Sequence, residues 1–96
     1  MNKKEHLLSC LAEECAEVAH RASKALRFGL DDVAPGQELT NAQQIRQELD
    51  DLSVIVQMIC NEGMINPWHD VEHMRRKQAK VERYMGYAQE RGTLSA

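Results

Sequence analysis

Aromatic residues are scarce in this 96-residue chain, which contains one Trp, one Phe and two Tyr. Aromatic side chains usually supply much of a domain's buried surface, so a single domain of this length builds only a modest core. Apolar runs of the roughly 20 residues needed to cross a membrane are also missing. The charged, amphipathic stretch after residues 1–4 does not resemble a secretion signal. We therefore expect a cytoplasmic domain without a membrane partner.

The sequence indicates neither disulfide pairs nor a basic surface. The three cysteines, Cys10, Cys15 and Cys60, are an odd number without a CxxC motif, which is typical of reduced thiols in the cytoplasm. The formal net charge is −3 and no segment is strongly basic. Proteins that bind nucleic-acid polymers need a cationic surface, so the composition disfavours that class. A nucleotide substrate remains compatible with it.

Apolar residues recur at helical spacing and predict an all-α fold. The first helix is expected over about residues 3–28, where Gly29 is a typical stop, and a loop follows. Thr40 and Gln43 have the pattern of a capping box, which predicts a second helix over about residues 41–62. Asn66, as N-cap before Pro67, predicts the start of a third helix.

Two pairs of carboxylates stand out on the first two predicted helices. Glu14 and Glu17 have i, i+3 spacing, and so do Glu48 and Asp51, so each pair shares one helix face. On helical wheels Glu14 borders the apolar stripe of its helix and Glu48 lies within that of the second. If the helices pack antiparallel, the two pairs lie at heights that differ by about one turn.

A hard divalent cation between these pairs would relieve their mutual repulsion, because it prefers oxygen ligands. Ionised carboxylates that border an apolar stripe are otherwise destabilising unless they are paired. Acidic i, i+3 pairs are nevertheless common on solvated helix faces. The residues alone therefore leave a metal site and a solvated acidic face both open.

The acidic pattern resembles a known family. Glu13-Glu14-x-x-Glu17 followed by Glu48-x-x-Asp51 is similar to the EExxE…ExxD signature of the MazG-like, all-α nucleoside triphosphate pyrophosphohydrolases. The flanking stretches resemble phage and prophage members of that group, and the likeness runs from about residue 7 to residue 93. The stretches that carry it are residues 22–29, 48–52 and 77–84.

The resemblance implies a fold, a cofactor and a reaction. The expected fold has three main helices per chain, which complete a four-helix-type bundle by forming a homodimer or homotetramer. Magnesium, or manganese in its place, is expected at four carboxylates. The expected reaction hydrolyses a nucleoside triphosphate, or its deoxy form, to the monophosphate and pyrophosphate, for nucleotide-pool control or house-cleaning. A phage-encoded member would act in the host cytoplasm. The implied metal ligands are Glu14, Glu17, Glu48 and Asp51.

Further residues suit the chemistry of this reaction. Glu13 flanks the metal pair and is the best candidate to orient or deprotonate the attacking water, although it would also suit a further metal ligand. Cationic side chains are needed to hold the β and γ phosphates. Lys24 lies on the acidic shoulder of the first helix, whereas Lys77 and Lys80 lie on the third helix. Each of these lysines would also suit a solvated surface.

Two other motifs suggest different metals. The segment from His69 to His73 matches the H-x-x-E-H pattern of some zinc peptidases, which need a much larger chain to form a substrate cleft. Glu17-x-x-His20 is similar to one element of a di-iron bundle, but the second helix carries no matching histidine. Both readings are weaker than the magnesium enzyme.

A non-catalytic dimerisation module is the rival hypothesis from another class. In that case the carboxylates would form salt bridges between chains, with Arg21, Lys24 or Arg46 as partners. The sequence does not identify the preferred base, and it leaves the role of Trp68 open.

Overall fold

The computed structural model describes residues 1–95, which form three helices in chain order. These are α1 (Lys3–Phe28), α2 (Asn41–Asn61) and α3 (Val71–Glu90). No β-strand occurs in this described range, so the predicted all-α class is confirmed. None of the helices found within residues 1–95 combines the length and the apolarity that crossing a bilayer requires.

The first two helices begin at the predicted positions, and each follows a capping residue. The Asn2 side chain accepts a hydrogen bond from the backbone N–H of Glu5 at 2.9 Å. At the start of α2, Thr40 Oγ1 accepts from the N–H of Gln43 at 3.1 Å, and the Gln43 side chain accepts from the N–H of Thr40 at 2.9 Å. These bonds satisfy backbone donors that have no partner within the helix.

The third helix begins later than the sequence predicts. Asn66 is not its N-cap, because its Oδ1 accepts from the N–H of Trp68 at 2.8 Å and forms a local turn. Asp70 is the N-cap instead, and its Oδ1 accepts from the N–H of His73 at 2.9 Å. A carboxylate at this position is also favoured by the positive end of the helix dipole, so the prediction of Asn66 and Pro67 as the helix start is wrong.

A buried asparagine fixes the connection between α1 and α2. Asn41 is only 2% exposed, and its Nδ2 donates to the carbonyl of Gly29 at 2.8 Å. Its backbone N–H donates to the carbonyl of Asp32 at 2.9 Å, and the N–H of Ala42 donates to that of Leu30 at 3.0 Å. Gly29 has a φ of 100°, a left-handed conformation that glycine adopts without a Cβ clash. The loop is therefore anchored at both ends.

The two helices form an antiparallel hairpin with a thin core. Lys3, at the start of α1, pairs with Glu62 just beyond the end of α2, and this hydrogen-bonded pair lowers the pKa of Glu62 below its ordinary value. Leu7 and Ile59 are the fully buried apolar side chains within residues 1–95. A hairpin of this kind buries one face of each helix and leaves other apolar faces open.

The third helix does not pack against α1 or α2. Val71, Met74, Val81 and Met85 lie on one stripe of α3 and are each about half exposed, at 55%, 53%, 45% and 50%. The radius of gyration of the Cα atoms is 17.0 Å, whereas a compact domain of about 100 residues has a value near 13 Å. The chain is therefore extended, and α3 has an uncovered apolar side.

We expect Asn41→Ala to destabilise the hairpin by about 1–3 kcal/mol, because it removes a part-buried hydrogen bond to Gly29 and empties a buried position. Urea unfolding, followed by circular dichroism at one protein concentration, measures this change in the free energy of unfolding. Asn61→Ala is the matched control, since Asn61 is exposed and accepts one bond from Gln57, and it should shift stability by less than about 0.5 kcal/mol. Equal effects of the two substitutions would contradict the anchoring role of Asn41.

Candidate metal centre

Three carboxylates converge across the α1–α2 interface. Glu14 on α1 faces Glu48 and Asp51 on α2, and one carboxylate oxygen from each lies within 4.8 Å of the others. We call these three residues the acidic cluster. Because the i, i+3 spacing places Glu48 and Asp51 on the same side of α2, the antiparallel packing is sufficient to bring Glu14 opposite both.

The donor set fits a hard divalent cation. Two oxygens on one ion lie at most about 5 Å apart for Ca²⁺ and about 4.2 Å apart for Mg²⁺, which forms shorter bonds. The carboxylate oxygens of the acidic cluster lie within 4.8 Å of one another, so they would have to move slightly closer to bind Mg²⁺ together. Glu14 and Glu48 are half-buried while Asp51 is exposed, so the cluster combines shielding with access from solvent. Exposed acidic groups also cluster without an ion, and the geometry therefore defines a candidate site.

The environment of Glu14 disfavours its negative charge. Burial raises the pKa of Glu14 above its ordinary value of 4.5, and the charges of Asp51 and Glu48 raise it further, with smaller effects from Glu13 and Glu17. A carboxylate in this position gains from any cation that offsets its neighbours. The electrostatics and the geometry of the acidic cluster thus favour the same kind of ligand.

One cation of the chain itself reaches the acidic cluster. Arg21 Nε lies 3.7 Å from Glu48 Oε1, and the two side chains are only 22% and 17% exposed. The rival hypothesis expects Arg21 to form salt bridges between chains, but this pair lies within one chain. Arg46, another proposed partner, pairs with Asp50 at 3.0 Å on the exposed side of α2. Arg21 was not among the site residues predicted from the sequence, although its place four residues after Glu17 is a usable signal.

The remaining predicted residues lie around or away from the acidic cluster. Glu13 and Glu17 are exposed and do not belong to it, although both influence the pKa of Glu14. Lys24 is half-buried on α1. Lys77 and Lys80 are on α3, where they line a groove of about 440 Å³ with the apolar stripe of that helix. Since α3 does not contact α1 or α2, one chain does not bring these two lysines to the carboxylates.

The rival metal motifs are not assembled. His69 and His73 flank the start of α3, and Glu17 and His20 both lie on the exposed side of α1. Among residues 1–95 the acidic cluster is the one group of three or more potential ligands that converge. The zinc and di-iron patterns therefore have no support from the geometry.

The chain matches no protein-family model, no curated protein and no solved structure. The MazG-like resemblance therefore stays a prediction that rests on the acidic motif and its flanking stretches. The roles of Glu17 as a fourth ligand and of Glu13 as the general base likewise stay predictions.

The raised pKa of Glu14 predicts how stability varies with pH in chelator. A carboxyl whose folded pKa exceeds its unfolded value favours folding when protonated, so this contribution is complete below pH 4.5 and is lost as pH rises through the folded pKa. Glu14→Gln mimics the protonated form without changing its size. We expect it to raise Tm at about pH 7 and to have little effect at about pH 4.

Thermal unfolding in chelator at both pH values measures this difference. Glu38→Gln, in the exposed loop between α1 and α2, is the matched control and should leave Tm nearly unchanged at either pH. A lower Tm for Glu14→Gln at neutral pH would show that the folded state does not disfavour the ionised form of Glu14.

Proposed function

We propose that this protein is a divalent-cation-dependent nucleoside triphosphate pyrophosphohydrolase. The observation that carries the proposal is the convergence of Glu14, Glu48 and Asp51 within 4.8 Å across two helices. Those residues are three of the four ligands that the MazG-like resemblance implies. Burial, together with the charges of Asp51 and Glu48, raises the pKa of Glu14, and this cost to its negative charge supplies a physical reason for a bound cation.

The carboxylates would hold Mg²⁺, or Mn²⁺ in its place, with Glu17 one turn from Glu14 as an additional ligand. When bound, the cation would act as a Lewis acid that neutralises charge on the phosphates. The half-buried oxygens of Glu14 and Glu48 would be fixed by the packing of α1 on α2. The exposed side of Asp51 leaves an approach for a substrate from solvent.

Glu13 is the proposed general base. It neighbours Glu14 and is exposed, so its carboxylate is accessible to a water molecule. In the proposed reaction this water loses a proton to Glu13 while its oxygen bonds to the α-phosphorus. The bond from the α-phosphorus to the bridging oxygen breaks, and pyrophosphate leaves with the monophosphate as the other product. Lys24 would contact the β and γ phosphates as a positive charge on the same helix.

A homo-oligomer is part of this proposal. Most helical stability in proteins comes from packing of an amphipathic face, yet the apolar stripe of α3 is about half exposed and neither α1 nor α2 packs on it. A second copy, in a homodimer or homotetramer, would bury this stripe and complete a bundle. It would also be the only route by which Lys77 and Lys80 reach an acidic cluster.

Nucleotide hydrolysis tests the proposed function directly. With Mg²⁺ and a panel of ribo- and deoxynucleoside triphosphates, we expect monophosphate and pyrophosphate from at least one nucleotide, and no turnover in chelator. Glu48→Gln or Asp51→Asn should lower kcat/KM by about 100-fold or more, since each removes a charged ligand. Asp50→Asn is the matched control, because this exposed neighbour pairs with Arg46, and it should retain activity.

Absence of turnover with every nucleotide, together with unchanged stability in chelator, would favour the non-catalytic dimerisation module. Product analysis also separates this reaction from loss of the γ phosphate alone, which would release inorganic phosphate. The same panel identifies the preferred base and sugar.

The oligomeric state tests the proposed role of α3. Light scattering coupled to gel filtration should give a mass of at least two chains for the natural protein. Met85→Glu places a charge in the apolar stripe and should shift the population towards the monomer. Ala79→Glu introduces the same charge about 120° around α3 from Met85, outside the apolar stripe, and should not. A monomer at all concentrations would remove the proposed interface.

A further inference from the structure

Two shielded N–H groups, one on α1 and one on α2, lack an acceptor. Arg21 Nε and Gln44 Nε2 are inaccessible to solvent, and neither has a hydrogen-bond partner among residues 1–95. Such unsatisfied donors are uncommon in folded proteins because losing water without gaining an acceptor is destabilising. Their presence at a proposed site for a charged substrate suggests that the acceptor is the substrate.

Gln44 is placed on the side of α2 that faces the acidic cluster. It lies four residues before Glu48, so the two side chains share one face about 6 Å apart along the helix axis. Only 5% of Gln44 is exposed, and the packing of α2 on α1 provides this burial. A methionine side chain would fill the same space without burying a polar group. The N–H₂ group of Gln44 is therefore useful only if a ligand supplies its acceptor.

Arg21 approaches the same region from α1. Its Nε is 3.7 Å from Glu48 Oε1, which is close enough for attraction between charges but too long for a hydrogen bond. If a cation shares Glu48, the attraction between Arg21 and that carboxylate weakens. The guanidinium then retains its charge and an N–H donor, both of which favour an oxyanion.

We propose that Arg21 and Gln44 form an anion subsite, which binds phosphoryl oxygens of the substrate next to the acidic cluster once the side chains that shield the two donors move aside. This inference rests on the proposed function, because a phosphate chain held at Glu14, Glu48 and Asp51 would pass beside these donors. The subsite recognises the charge and oxygens of a polyphosphate and is indifferent to base and sugar. It assigns phosphate binding to residues on α1 and α2 of one chain, in addition to the predicted lysines.

Inorganic pyrophosphate is the probe for this subsite, used with Mn²⁺ in titration calorimetry on the full chain. Arg21→Met keeps much of the side-chain length and should weaken pyrophosphate binding about tenfold or more, as expected for a lost charged hydrogen bond. Mn²⁺ alone should bind this variant at least as tightly as the natural protein, because a competing positive charge is gone. Arg46→Met, exposed on α2, is the control and should match the natural protein.

Gln44→Met provides a second, independent variant. It conserves volume and removes the unsatisfied donor, so we expect Tm to stay equal or rise while pyrophosphate affinity falls several-fold. A residue with a purely structural role would behave in the opposite way, with a lower Tm and unchanged affinity. That result, or natural pyrophosphate affinity in both variants, would overturn the subsite.

The outcome for the subsite is separable from the outcome for the proposed function. The protein could bind pyrophosphate through Arg21 and Gln44 and yet hydrolyse no nucleotide. That result would support the subsite and contradict the proposed enzymatic function. Hydrolysis with an unchanged KM and unchanged pyrophosphate affinity in Arg21→Met would support the enzyme and remove the subsite. Loss of Mn²⁺ binding in Arg21→Met would also remove it, because Arg21 would then serve to support the metal ligands.

Discussion

The repulsion among Glu14, Glu48 and Asp51 is the constraint on which the rest of this structure depends. Three carboxylate oxygens within 4.8 Å of one another repel across the α1–α2 interface, and only two apolar side chains in the described range, Leu7 and Ile59, are buried. The hairpin resists because its ends are fixed by polar contacts. Asn41 closes the loop end, and Lys3 pairs with the residue after α2. Polar contacts at both ends of the hairpin thus oppose the repulsion within the acidic cluster at its middle.

The helices were predictable from sequence wherever one capping signal acted alone. Thr40 and Gln43 satisfy each other's backbone donors, so the start of α2 follows from four residues of sequence. The start of α3 was predicted at Asn66, but Asp70, four residues later, has a side chain that caps a helix equally well. The structure uses both, one for a turn and one for the helix. The error was therefore a choice between two local hydrogen-bonding patterns, whereas the existence of the helix was right.

Helix geometry was sufficient to predict the positions of the three carboxylates, but not the other side chains of the site. Spacing places Glu48 and Asp51 on one face, and antiparallel packing brings Glu14 opposite. Periodicity does not fix the direction of a long side chain, so the approach of Arg21 to Glu48 and the burial of Gln44 were not foreseen. Both features depend on the distance between the two helices and on the side-chain rotamers that fit between them. A helical wheel contains neither quantity.

The uncovered stripe of α3 connects stability to the proposed chemistry. Val71, Met74, Val81 and Met85 are each about half exposed and no other described helix packs on them, so in the proposed oligomer a second chain would bury them. Any ligand that binds the assembled form better than the free chain must in turn favour assembly. The groove that contains Lys77 and Lys80 shares this helix, so a polyphosphate that contacts them in an oligomer would strengthen subunit association. Metal binding would stay a property of the α1–α2 hairpin, since all three carboxylates of the acidic cluster belong to one chain. Dilution should therefore weaken phosphate binding before it weakens metal binding.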